Sequence, residues 1–339
     1  PQISTNITLP LHDTINLSII MSLLLPIRKL SSSIRLNQGK AVLLSSCFSS
    51  SSADCDLVLS SVDEDAGVAT LVMNRPPANS LNLQMNEAIS TSIKEIEANS
   101  KIQSVILAST NPTIFSAGLD VSELVNPDKD RLPKFWNSLQ QLYIDLYGSR
   151  LATVAAIEGH APAAGCFLAM ACDYRIMSAG DGKKVPTIGL NETRLGIAAP
   201  PWMGQLMVRT IGNRQTELAL ALGTLFLPEQ SLSVGMVDEL VSPEQCESND
   251  ALAELLPTAI KDQSSNALMQ RAYKQAKVYA KIPSQARIAS KKVTRDDPIQ
   301  HMIATMESDT DHFCGFVSEK AVQNNLIAYV EAMKQKNKK

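Results

Sequence analysis

The chain has 339 residues, 45% of them hydrophobic and 19% charged, with a formal net charge of -3 and a pI near 5.9. That composition supports a sizeable core, enough for two domains or for one large domain with an appendage. The acidic balance excludes general nucleic-acid binding, and an aromatic content of 4% excludes stacking platforms for single strands.

Residues 1–20 read as upstream translated sequence, since the chain opens on Pro1 and its first methionine is Met21. Residues 21–54 carry Arg28, Lys29, Arg35 and Lys40, no acid before Asp54, and a serine run from Ser49 to Ser52. Basic, serine-rich and acid-free is the pattern of an organelle transit peptide, with a plain disordered arm as the alternative. The apolar patch at 19–25 is too short to span a bilayer. Strands are expected over 57–62 and 68–73, joined by an acidic turn. A helix follows over 83–98, with Asn82 as its N-cap. Then come a buried strand at 105–108, a helix at 132–147, a strand at 153–157, a helix at 166–172 and a strand at 174–177. Helices at 202–211 and 215–222 and a strand at 237–241 complete an α/β alternation with parallel pairing over 55–248. Residues 249–339 read as helical, with helices at 252–260, 266–279, 286–292, around 299–307 and at 319–334. Between Arg271 and Arg295 there are eight basic residues and no acid. This run is a solvated face, a surface for a phosphate-bearing ligand, or a packing arm for another subunit.

Several chemistries fail on motif. There is no G-x-S-x-G, no P-loop, no G-x-G-x-x-G and no HExxH. His12, His160, His301 and His312 are scattered, so no metal is expected. Cys47, Cys55, Cys166, Cys172, Cys246 and Cys314 form no CxxC pair and read as reduced thiols. Two turns and one carboxylate remain. Gly159-His160-Ala161-Pro162-Ala163-Ala164-Gly165 is a run of small residues ahead of an apolar helical stretch, and Phe115-Ser116-Ala117-Gly118 is a second. Each alone is an ordinary tight turn. Two convergent backbone N–H groups make an oxyanion hole. Glu192 sits among Ile188, Leu190, Leu195 and Ile197. A surface glutamate is the plain account of it; a base with a raised pKa is the sharper one.

Taken in order, Asn74-Arg75-Pro76 with Asn79-Ser80-Leu81, Phe115-Ser116-Ala117-Gly118-Leu119-Asp120, Ile157-Glu158-Gly159 with Gly165-Cys166, Cys172-Asp173-Tyr174-Arg175 and Gly235-Met236-Val237-Asp238 resemble the crotonase (enoyl-CoA hydratase/isomerase) superfamily. The segment 190–197 and Cys172-Asp173-Tyr174-Arg175-Ile176 resemble its mitochondrial Δ3,Δ2-enoyl-CoA isomerase branch. The resemblance implies an α/β spiral of ββα repeats over 55–248 and a C-terminal helical trimerisation region over 249–339. It also implies a mitochondrial transit peptide, a place in the mitochondrial matrix, a homotrimer and no membrane span. The substrate would be an acyl-CoA thioester, with CoA part of the substrate and no separate cofactor. Ala117 and Ala164 would supply the oxyanion N–H groups. Ser116, Gly118, Leu119, Asp120, Gly165, Phe167 and Asn191 would line the substrate.

Related hydratases place one of two glutamates where this chain has Phe167; the other matches Glu192. One carboxylate suffices for a 1,3-proton shift, so the resemblance implies conversion of 3-cis- or 3-trans-enoyl-CoA to the 2-trans isomer, in fatty acid β-oxidation. Hydration, dienoyl isomerisation and a catalytically silent acyl-CoA-binding role stay open at this stage. Two departures bear on them. Many relatives have glycine at Ala164, and the stretch 179–186 is long. Arg75 and the 271–295 face are the candidates for the CoA phosphates.

Overall fold

The computed structural model describes residues 56–183, 185–242, 250–260 and 266–336. The expected upstream segment and transit peptide lie outside the described residues. Strand β1 (Val58–Asp63) pairs antiparallel with β2 (Val68–Met73), which is buried along its whole length, across the acidic turn. Of the next four strands the first two are buried throughout, as parallel strands covered on both faces must be, and the last two only toward their C-terminal ends. They are β3 (Ser104–Ser109), β4 (Ala152–Ile157), β6 (Tyr174–Ser178) and β8 (Glu239–Val241). The sheet order is β1-β2-β3-β4-β6-β8, parallel from β2 onward.

Parallel neighbours need crossovers. Helix α1 (Leu83–Ala98) supplies the first; Asn82 caps it by accepting from the Met85 N–H, and Met85, Ile89, Ile93 and Ile96 form its buried stripe. Helix α2 (Arg131–Tyr147) supplies the second and α3 (Ala164–Ala171) the third. Each crossover also touches a shorter second layer. Leu81 bridges Leu119, Ile114 bridges His160, β5 (Ala161–Pro162) pairs with β7 (Ile188–Gly189), and Ile188 bridges Phe226. Sheet strand, short strand and helix, repeated, wind the chain as a spiral of ββα turns.

Beyond β7 come α4 (Pro201–Ile211), α5 (Asn213–Leu222) and α6 (Pro228–Ser233). The C-terminal part holds α7 (Asp250–Leu255), α8 (Ala267–Ala280), α9 (Ser284–Val317) and α10 (Lys320–Lys336). Helix α8 closes the far face of the sheet: Leu268, Ala272 and Ala276 pack with Val72, Ile106, Val154 and Ile176.

Four local expectations change. The separate helices at 286–292 and 299–307 are one 34-residue helix with Pro298 inside it. An interior proline costs about 3 kcal/mol. Here that cost is offset by contacts with α2, where Phe313 stacks on Trp136 with centroids 3.4 Å apart and Asp309 accepts from Trp136 Nε1 and Gln140 Nε2. The helix expected at 252–260 stops at Leu255, ahead of Pro257. Strand 237–241 shortens to Glu239–Val241. Helix α6 and the two-residue strands carry too little periodicity to be read from sequence.

The basic run between Arg271 and Arg295 is only partly a solvated face. Arg287 donates to the carbonyls of Arg150 and Gln103, Lys291 to Leu151 O and Asp173, Arg295 to Tyr147 O, and Arg271 to Glu239. These cations bind the C-terminal helices to strand and helix ends of the spiral.

Candidate active site

Two approaches build the site. Gly118, at φ +87, lies under the start of α3; a Cβ there would stand 2.9 Å from Ala163 Cβ and 3.1 Å from Ala164 N. A Cβ on Gly165 would stand 2.2 Å from Ser116 O. The two small-residue turns therefore meet with no room for side chains between them. Ser116 is fully buried and holds this arrangement, its hydroxyl donating to Asn79 O and accepting from the Gly118 N–H. Leu119 bridges Leu81, which fixes the turn against the entry to α1.

The Ala164 methyl is accommodated without positive φ, because Ala164 is the first residue of the helix. The unusual backbone falls one residue earlier, on Ala163, at φ 50 and ψ -126. The Ala164 N–H has no partner in the helix start and forms no hydrogen bond among the described residues. The second expected donor differs: the Ala117 N–H donates to Ala78 O at 2.9 Å. One donor is open and the other is held by a carbonyl, a pairing invisible in sequence because the two residues lie on different turns.

Glu192 arrives through β7. The Ala163 N–H donates to Gly189 O at 2.8 Å, which ties the turn before α3 to the strand three residues ahead of the carboxylate. Glu192 opens a short 3-10 turn, Glu192–Leu195, which ends on Gly196 in the left-handed region at φ 75. Thr193 Oγ1 donates to Leu220 O, Arg194 Nε to Leu222 O, and Asn325 Nδ2 to Gly196 O. The turn is thus held by α5 on one side and α10 on the other. Glu192 is 8% exposed, and its Oε2 has no partner among the described residues. Burial pushes its pKa up to about 7, against a weaker opposing hydrogen bond from its own backbone N–H. Among the described residues Asn191 forms no hydrogen bond to it, and Asn191 Oδ1 is buried without a partner.

Phe167, wholly buried one turn into α3, packs edge-on against Trp202 at 5.1 Å and tilted against Tyr143 at 5.8 Å. No second carboxylate enters at that position. Asp120 is committed elsewhere: it accepts from Ser122 and pairs with Arg75 at 2.7 Å. Burial alone would raise its pKa, but these partners together hold it below the usual carboxylate value. That pairing also occupies Arg75, one of the expected phosphate contacts. Among the described residues no group of three His, Cys, Asp or Glu side chains could hold a metal, and no helix is long and apolar enough to cross a membrane.

A bare helix start and a buried carboxyl without a counter-ion among the described residues are suited to handling a carbonyl compound by moving protons. The family model described as enoyl-CoA hydratase/isomerase matches residues 63–272, and the chain belongs to that family. The mitochondrial enoyl-CoA delta isomerase 1 of Mus musculus is 38% identical over 279 residues, covering 82% of this chain and 88% of the relative. The same protein of Homo sapiens is 36% identical over 278 residues, covering 82% and 84%. The crystal structure of human mitochondrial Δ3-Δ2-enoyl-CoA isomerase superimposes with a TM-score of 0.73 at 34% identity, covering 83% of this chain and 99% of that one. An enoyl-CoA hydratase from Bacillus halodurans shares the fold, with a TM-score of 0.66 at 22% identity over 80% of this chain and 99% of its own.

Proposed function

We propose that the chain is a mitochondrial Δ3,Δ2-enoyl-CoA isomerase of fatty acid β-oxidation, and that Glu192 is its single acid/base. The observation that carries this reading is the buried Glu192 carboxyl, whose Oε2 has no partner among the described residues, beside a Phe167 that brings no second acid. A 3-enoyl thioester loses a C2 proton to Glu192, giving a dienolate whose negative charge rests on the thioester oxygen. The same carboxyl then returns the proton to C4 as the double bond moves to C2–C3. No atom is gained or lost, so no water need be held and one group serves both steps. A carboxyl near pH 7 suits that double task, since neither protonation state is strongly disfavoured.

The open Ala164 N–H stabilises the thioester oxygen, and the Ala117 N–H joins it by sharing or exchanging its bond to Ala78 O. Gly118 and Gly165 keep the approach free, and Ser116 fixes their spacing. Leu119, Phe167 and Asn191 complete the walls around the acyl group. The enzyme needs no cofactor, CoA being part of the substrate; it works in the mitochondrial matrix as a homotrimer. The test is to incubate the purified protein with 3-cis- and 3-trans-enoyl-CoA and follow 2-trans product. Absence of product overturns the reaction, and native activity in Glu192→Gln overturns the base.

A further inference from the structure

The segment that leaves the turn of Ala117 runs into a second short 3-10 turn, Val121–Glu123, capped by Asp120, whose carboxylate accepts from the Ser122 N–H. The front of this loop is held by Glu123, which accepts from the Leu83 N–H and pairs with Arg131. Its back is held from much further along the chain. Gln323 of α10 donates through Nε2 to Leu124 O at 2.9 Å and accepts through Oε1 from the Asn126 N–H at 2.8 Å. Asn126 sits in the left-handed region at φ 47, a conformation that its surroundings must hold in place. Among the described residues no other side chain hydrogen-bonds the backbone of 124–126.

The same amide donates to Val317 O at 2.7 Å, at the end of α9. A glutamine amide offers two donor hydrogens and an acceptor oxygen on one rigid plane, and here all are used. Helix α10 is seated by Val322 and Leu326, which belong to the same buried cluster as Leu124. Two residues beyond Gln323, Asn325 Nδ2 donates to Gly196 O, and a Cβ on Gly196 would stand 2.4 Å from that nitrogen. One helix therefore rests at once on the loop that follows Ala117 and on the turn that opens with Glu192.

We propose that Gln323 is a positioning residue for the isomerisation, a role that rests on the function proposed above. It fixes the loop after Ala117 against α10, and α10 carries that constraint to the Glu192 turn. The spacing between the thioester oxygen and the base is then set by an amide that touches neither.

The test is Gln323→Met, which keeps the length of the side chain and removes all of its hydrogen bonds. Turnover of a 3-enoyl-CoA is expected to fall about tenfold in kcat with KM within about twofold, the mark of a shift well short of the ~1 Å that costs about 10²-fold. Backbone amide exchange of the substrate-free proteins is expected to quicken at 121–126 and at 192–196 and to stay native along α10. No turnover by the native protein overturns the reaction itself, whereas the exchange decides this proposal either way. An unchanged kcat in an active protein overturns it, as does exchange that quickens at 121–126 alone. Exchange that quickens along the whole of α10 overturns it too, since Gln323 would then dock the helix rather than place the two loops.

Discussion

The two ends of α3 each bury a carboxylate, with opposite results. Beside its N-terminus, Glu192 is 8% exposed and has no counter-ion among the described residues, and burial pushes its pKa up to about 7. Beyond its C-terminus, Asp173 meets the same dominant penalty, but the Lys291 and Arg295 cations overcome it and hold its carboxyl below the usual value. Thr153 adds an N–H and a hydroxyl to Asp173. Lys291, sharing that one acid with Arg295, is itself pushed down by burial to about 8. Burial therefore sets neither charge state nor role; partners do. The paired end anchors a helix, while the unpaired end holds a carboxyl that burial brings to a pKa of about 7.

The sharpest way to break the comparison is to remove the unpaired charge. Glu192→Gln is expected to lower kcat by about 10³–10⁴-fold with little change in KM, measured with 3-enoyl-CoA. The same variant is expected to be more stable at pH 8. In the native chain the raised pKa makes folding less favourable as pH climbs from 4.5 to about 7, with no further loss above. At roughly 1.4 kcal/mol per unit, glutamine removes a penalty of about 3 kcal/mol at pH 8 and none near pH 4. Equal melting temperatures of the two proteins at pH 8 would show that Glu192 is not desolvated. The native kcat/KM is expected to rise tenfold per pH unit below about 7 and to level off above, because the free enzyme must hold the base ionised.

Asp173→Asn strips the partner from two cations at the paired end. The expected loss is about 3–5 kcal/mol of stability, read by urea unfolding, with turnover per folded molecule near native. A comparable loss of kcat with native stability would reverse the roles of the two ends. Gly165→Ala ranks next. Its Cβ would stand 2.2 Å from Ser116 O, so the turns must part, and a displacement of about 1 Å lowers kcat by roughly 10²-fold.

The comparison also explains what sequence could reveal. Helix α1 was legible end to end, since Asn82 and the stripe of Met85, Ile89, Ile93 and Ile96 are local signals. The burial of Glu192 was legible through its apolar neighbours, and that of Phe167 through the apolar helical run around it. What stayed hidden depends on pairs far apart in the chain. Nothing near Ala117 announces that its N–H meets Ala78 O. Nothing in the run from Arg271 to Arg295 announces that Arg287 seeks the Arg150 carbonyl or that Lys291 meets Asp173. Asp120 looked like a ligand contact because its salt bridge to Arg75 spans 45 residues. The continuity of α9 was hidden for the same reason, since Pro298 is a local signal and the Phe313–Trp136 stack is not.

The smallest expected effect concerns how the unpaired carboxylate is aimed. With no hydrogen bond to direct Oε2 among the described residues, its position depends on the turn that carries it, and Asn325 of α10 is one of the clamps on that turn. The bond from Asn325 to Gly196 O is 3.2 Å long and exposed, so its removal costs about 1 kcal/mol at most. Gln323, two residues earlier, ties the same helix to Asn126 N and Leu124 O, so α10 stays docked without Asn325. Asn325→Ala is therefore expected to lower kcat by about two- to fivefold while KM and melting temperature stay near native. A lowered melting temperature with full kcat would instead place Asn325 in docking the helix, and would leave α5, through Thr193 and Arg194, to aim the base.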